Sequence, residues 1–73
     1  MPTICKLNDA TDCGSVIQLI LEPVEGGRPF FIVGDHRPIR HFLTDWDAAR
    51  RPLVIVADDR ESLSLVEDAS TSH

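Results

Sequence analysis

The 73-residue chain has little of four things: cysteine, cationic charge, long apolar runs and repetition. Its two cysteines, Cys5 and Cys13, are too few for the disulfide framework of a small secreted domain. A bridge across the seven residues between them needs the chain to turn back through "NDATD", so free thiols are expected. Seven Lys and Arg against twelve Asp and Glu leave a net charge of −5. That balance works against direct nucleic-acid binding, which needs clustered cations. No apolar run approaches the roughly 18 residues that cross a bilayer. The start, "MPTICKLNDATD", has one Lys, two Asp and no apolar core, unlike a signal or transit peptide. These absences lead us to expect a soluble cytoplasmic protein with no membrane partner and no cofactor. No internal repeat is visible, and the only biased stretch is the polar end "DASTSH". We expect one domain over 1–73, with 1–14 an N-terminal segment and 69–73 a disordered tail.

What is present reads as a hairpin, a helix and a strand. "SVIQLIL" (15–21) and "FFIV" (30–33) are β-branched, aromatic and aliphatic, as strands are. Between them Gly26-Gly27 marks a turn, since two positive φ values cost glycine little. A two-residue turn there would set Glu25 opposite Arg28, although Pro23 and Pro29 loosen the pairing nearby. Gly34 ends the second strand and Asp35 can cap a helix, with Pro38 in its first turn. Ile39, Phe42, Leu43 and Trp46 then follow the i, i+3, i+4, i+7 spacing of a one-faced helix, stopped by Pro52 after Arg50 and Arg51.

"LVIVA" (53–57) is a further strand, which makes 30–57 a β-α-β unit with parallel strands and a right-handed connection. "TICKL" (3–7) suits a short edge strand. In "DDRESLSLVED" (58–68), Asp58 with Glu61 forms a capping-box pattern, which favours a short helix over a strand at "SLSLV". The expected fold is α+β: a mixed sheet of three or four strands with one amphipathic helix on one face.

The strands hold more apolar surface than this fold can cover. All three are apolar on both faces, as in sheets covered on both sides. One helix of about 13 residues, about 20 Å long, covers one face only. Unless the termini cover the other with Leu7, Leu63, Leu65 and Val66, a partner does, either a second copy or another protein.

Chemistry-bearing residues gather at "GDHRP". With parallel strands, Asp35, Asp58 and Asp59 would lie near one sheet edge, where carboxylates suit Mg²⁺. His36 could then act as a base and Arg37 as a phosphate clamp. "FIVGDHRP" also resembles the strand-to-loop motif of the DHH phosphoesterases, a family that implies metal-dependent phosphoester cleavage on a much larger fold. The likeness stops at these residues: Arg37 stands where the second His belongs, and the family's other motifs have no room. Helix capping by Asp35 and turn formation by Asp58 and Asp59 account for the same residues without a metal. A zinc site from Cys5, Cys13, His36 and His41 has the wrong cysteine spacing, and its histidines diverge on one helix. No serine sits in a nucleophile elbow.

Charge is unevenly spread: −3 over 1–27, +2 over 28–52 and −4 over 53–73. On the helix, Arg37, Arg40, Thr44 and Arg51 share a flank with Asp47 beside them; pairs His41–Asp45 and Asp47–Arg51 can neutralise part of it. The expected function is non-enzymatic: a small acidic interaction module, acting as inhibitor or regulatory accessory of another protein. Phage- and mobile-element-encoded antagonists of host enzymes are of this kind. The apolar sheet face would supply area. Two acidic groups, Asp9, Asp12, Glu22 and Glu25 on one side and Asp58, Asp59 and Glu61 on the other, would meet a basic partner surface. Arg37, Arg40 and Arg51 offer a smaller cationic contact.

Overall fold

The computed structural model describes residues 1–66; the expected tail at 69–73 lies outside them. Five strands and one helix follow in the order β1 (Thr3–Asp12), β2 (Val16–Pro23), β3 (Phe30–Asp35), α1 (His36–Ala48), β4 (Val54–Val56) and β5 (Leu63–Leu65). The strands form one sheet, ordered β3-β2-β1-β4-β5, in which every neighbouring pair is antiparallel. The α+β class and the amphipathic helix after Asp35 agree with the sequence reading. The mixed sheet and the parallel crossover do not. β3 and β4 are separated by β2 and β1 and run in opposite directions, so α1 links two distant antiparallel strands.

The expected short edge strand at 3–7 is in fact the start of the longest strand, and it lies in the middle of the sheet. Its pairing with β2 slips one residue between Leu7 and Asp9, a bulge at Asn8. The bulge moves the next residues onto the opposite faces, which lets the polar "NDATD" continue as strand. β1 and β2 are joined by a tight turn over Cys13, Gly14 and Ser15. Cys13 N–H donates to Val16 O at 2.9 Å, Gly14 N–H donates to Asp12 Oδ1 at 2.8 Å, and Gly14 takes φ +95°. The β2–β3 turn is longer than two residues. Gly26 and Gly27 do take positive φ, yet the ladder ends at Leu21 opposite Phe30, before Glu25 and Arg28 can face each other. Pro23, next in line to face β3, has no N–H to extend it, while Val24 N–H, on the β1 side of β2, donates to Ile4 O at 3.0 Å.

Beyond β4 no helix forms within the described residues. Asp58 and Asp59 enter a turn, with Arg60 at φ +59° donating its N–H to Ala57 O at 2.8 Å. Glu61 N–H takes Asp59 Oδ1 at 2.9 Å, which satisfies the carboxylate locally instead of opening a helix. The chain then returns as β5 along β4.

The core lies on one side of the sheet. Cys5 and Leu7 of β1, Ile17, Leu19 and Leu21 of β2, Ile32 of β3, and Val54 and Val56 of β4 are buried, together with Ile39 of α1. Phe42, Leu43 and Trp46 of the helix pack against them, as the spacing predicted, and Trp46 Nε1–H donates to Pro52 O at 2.9 Å. The helix begins at Asp35, which occupies the cap position without a side-chain hydrogen bond. It ends at Ala48, and Arg50 and Arg51 follow in the left-handed region at φ +67° and +57°. Gly34 sits under Ile39: a Cβ there would lie 2.9 Å from Ile39 Cγ1, so the absence of a side chain lets the helix approach β3.

Candidate docking surface

Strand alternation sends every second residue to the side away from α1. The register places Gln18 beside Val33, Ile20 beside Phe31, and Ile4 beside Ile55 on that side. Among the described residues no element covers it. Phe31 is 63% exposed, Val33 59% and Ile4 44%, whereas Leu19, one residue before Ile20, is fully buried. Val16, Ile20 and Ile55 are half-buried between their neighbours. The apolar residues form two groups, Val16, Ile20, Phe31 and Val33 on β2 and β3, and Ile4 with Ile55 on β1 and β4. Lys6 and Glu22, opposite each other on β1 and β2, stand between them.

The acidic residues fall around this face unequally. Asp9 lies opposite Ile20 and therefore on the open face, as does Glu22, whose Oε1 accepts from Asn8 Nδ2 at 3.4 Å. Glu25 lies in the β2–β3 turn, and Asp58, Asp59 and Glu61 in the β4–β5 turn. Asp12 belongs elsewhere. It lies opposite Ile17, on the helix side, and its Oδ2 is 2.8 Å from His36 Nε2. The Gly14 amide, and after it the His36 hydrogen bond, hold the Asp12 carboxyl below its ordinary value. Asp12 thus ties the β1–β2 turn to the first turn of α1.

The cationic flank lies on the helix, on the far side of the molecule from the open face. His36, Arg37, Arg40, His41 and Thr44 line a shallow cleft there of about 310 Å³. Arg51 turns away from them: its Nε donates to Asp47 Oδ1 at 3.0 Å and its guanidinium lies 5.4 Å from the Trp46 ring centre. Of the two expected helix pairs, Asp47–Arg51 forms, and His41–Asp45 is not among the ion pairs of the described residues. A second cleft, about 340 Å³, opens where Arg28, Phe30 and Arg60 meet, with Arg60 stacked 4.5 Å from the Phe30 ring centre. Sequence spacing gave no sign of it, because its two sides are about thirty residues apart in the chain and β2 and β1 lie between β3 and β4 in the sheet.

The metal alternative loses its premise. Asp35 ends β3, while Asp58 and Asp59 follow β4, a non-adjacent strand running the other way, so they stand at opposite ends of the sheet. Among the described residues, no three His, Cys, Asp or Glu side chains group closely enough to hold a metal ion. Cys5 is buried and Cys13 exposed, both as free thiols, and burial pushes the Cys5 thiol up despite the opposing charge of Arg60. No helix among the described residues is long and apolar enough to cross a membrane. Comparison with protein-family models, with curated proteins and with solved structures finds no match to this chain.

Proposed function

We propose that the chain is a small acidic protein-binding module, an inhibitor or regulatory accessory of another protein, which docks through the open face of its sheet. The observation that carries this reading is the exposure of Phe31 and Val33, 63% and 59%, on the edge strand β3 of an otherwise regular sheet face. Contiguous apolar surface rimmed by polar groups is what protein-binding faces present. Asp9 and Glu22 on the same face, with Asp35 at the end of β3, give it an acidic rim with Lys6 as the opposing charge. The fitting partner is a protein with an apolar surface and a basic border, and charge complementarity of that kind raises association rate and selects among partners. A phage or mobile-element product that occupies a host enzyme's basic cleft would meet this description. Asp12, engaged with His36, and the helix arginines lie outside the contact.

The test is affinity capture with the intact chain, identification of the captured protein, and binding measurements with both partners purified. The double variant Phe31→Gln/Val33→Gln should lose binding at least tenfold. Asp9→Lys/Glu22→Lys should weaken it further as salt is lowered. A purified partner that binds both variants as well as the intact chain would sink the reading.

A further inference from the structure

The two edges of the sheet are unlike. β5 is a three-residue edge with Ser64 at its centre, whereas β3 is twice as long and reads "FFIVGD", with no charge before its last residue. Exposed edges of that kind are usually blunted by charge, proline or a cover. Among the described residues nothing pairs with the outer side of β3.

The direction of its free backbone groups follows from one hydrogen bond. His36 N–H donates to Ser15 O at 3.1 Å, in step with the register that sets Val16 opposite Asp35. Bonded and non-bonded pairs alternate along an antiparallel ladder. Gly34, Ile32 and Phe30 therefore bond to β2, and Phe31, Val33 and Asp35 point their N–H and C=O groups outward.

We infer that β3 pairs antiparallel with β3 of a second copy, joining two five-stranded sheets into one. A two-fold axis through the sheet at Ile32 sets Phe31 of each chain opposite Val33 of the other. Those residues carry the outward groups, so the ladder bonds form without disturbing β2. Phe30 of one chain then faces Gly34 of the other, where there is no side chain to meet it. Arg28, just before one β3, comes alongside Asp35 at the end of the other, once at each end of the seam. Both are exposed, and neither belongs to an ion pair among the described residues. A strand whose two ends carry opposite charges is complementary to its own antiparallel copy, as a two-fold contact requires. The inference goes beyond the proposed docking, since the joined open faces remain uncovered and become continuous across the seam. One strand pair is a small contact, which puts dissociation on the order of micromolar.

The test uses the purified chain alone, so its failure leaves the partner-docking reading untouched. Light scattering across a dilution series should show a mass rising from one 8.1 kDa chain towards twice that value. Val33→Pro removes an outward donor at an edge strand that tolerates proline, so its circular dichroism should match the intact chain while its mass stays that of one chain. Amide exchange at Phe31 and Val33 should slow at least tenfold between the dilute and concentrated ends. A single-chain mass at millimolar concentration overturns the inference. So does a dimer that survives Val33→Pro, or one whose Phe31 and Val33 amides exchange as fast as in the monomer, which would mean that sheet faces stack instead.

Discussion

The two faces of this sheet are built from the same strands, yet among the described residues only one is covered. On the helix side, β2 contributes Ile17, Leu19 and Leu21, all buried; on the other side the same strand contributes Val16, Gln18 and Ile20, all half-buried. On β3 the contrast is sharper, with Ile32 buried between Phe31 and Val33, which are mostly exposed. Antiparallel sheets with one wet face usually alternate apolar and polar residues. β2 and β3 keep the geometry of a one-sided sheet but carry the composition of a two-sided one. The difference locates where stability resides and where binding is expected.

The most direct way to break the comparison is to delete the same bulk from each face at adjacent positions. Leu19→Ala, at a fully buried site, should cost roughly 3 kcal/mol in denaturant unfolding. Ile20→Ala, one residue on but on the open face, should cost about 1 kcal/mol or less. Equal losses would mean that the open face is packed in solution even in the isolated chain.

A smaller effect is expected where the helix meets β3. Gly34→Ala sets a methyl group 2.9 Å from Ile39 Cγ1, and the flexible isoleucine can give way in part. The expected loss is about 1 kcal/mol, seen as a lower melting temperature. Ile39→Val in the same chain should return some of it.

The smallest effect concerns the Asp12 tether. Its carboxyl pKa is held below the ordinary 3.8, so the folded chain binds a proton less readily than the unfolded one. The stabilisation is complete above pH 3.8 and is lost as pH falls through the depressed folded value. Asp12→Asn should flatten that acid limb of the stability curve and leave the open face unchanged. An Asp12 titration midpoint at or above 3.8, measured by NMR, would contradict the contact with Gly14 and His36.

The helix was legible because Ile39, Phe42, Leu43 and Trp46 carry a strong period and Pro52 a firm stop. The uncovered face was legible too, since a count of apolar strand positions against one helix leaves a surplus. β1 was not, because the bulge at Asn8 breaks the alternation and makes a ten-residue strand resemble a short strand and a loop. "DCGS" held the missed turn signal: Asp and Ser on either side of a glycine, with Gly14 at positive φ. The crossover was misread because two apolar strands joined by a helix look alike whether they pair or lie two strands apart. The candidate site shared that fate. Carboxylates assigned to one sheet edge separate once β3 and β4 run in opposite directions, while Arg28, Phe30 and Arg60 meet only because the sheet brings its third strand and its last turn together.

The central position of β1 has a consequence for how the chain comes off the ribosome. Its pairing with β2 is a local hairpin, available as soon as Pro23 has been made. Its other side waits for β4, since Cys5 is paired with Val54. During synthesis the middle of the finished sheet is therefore an open edge for most of the chain's length, and closing it requires a long loop to find its end. Nascent chains that stop short of β4 should be the species most prone to pair with one another.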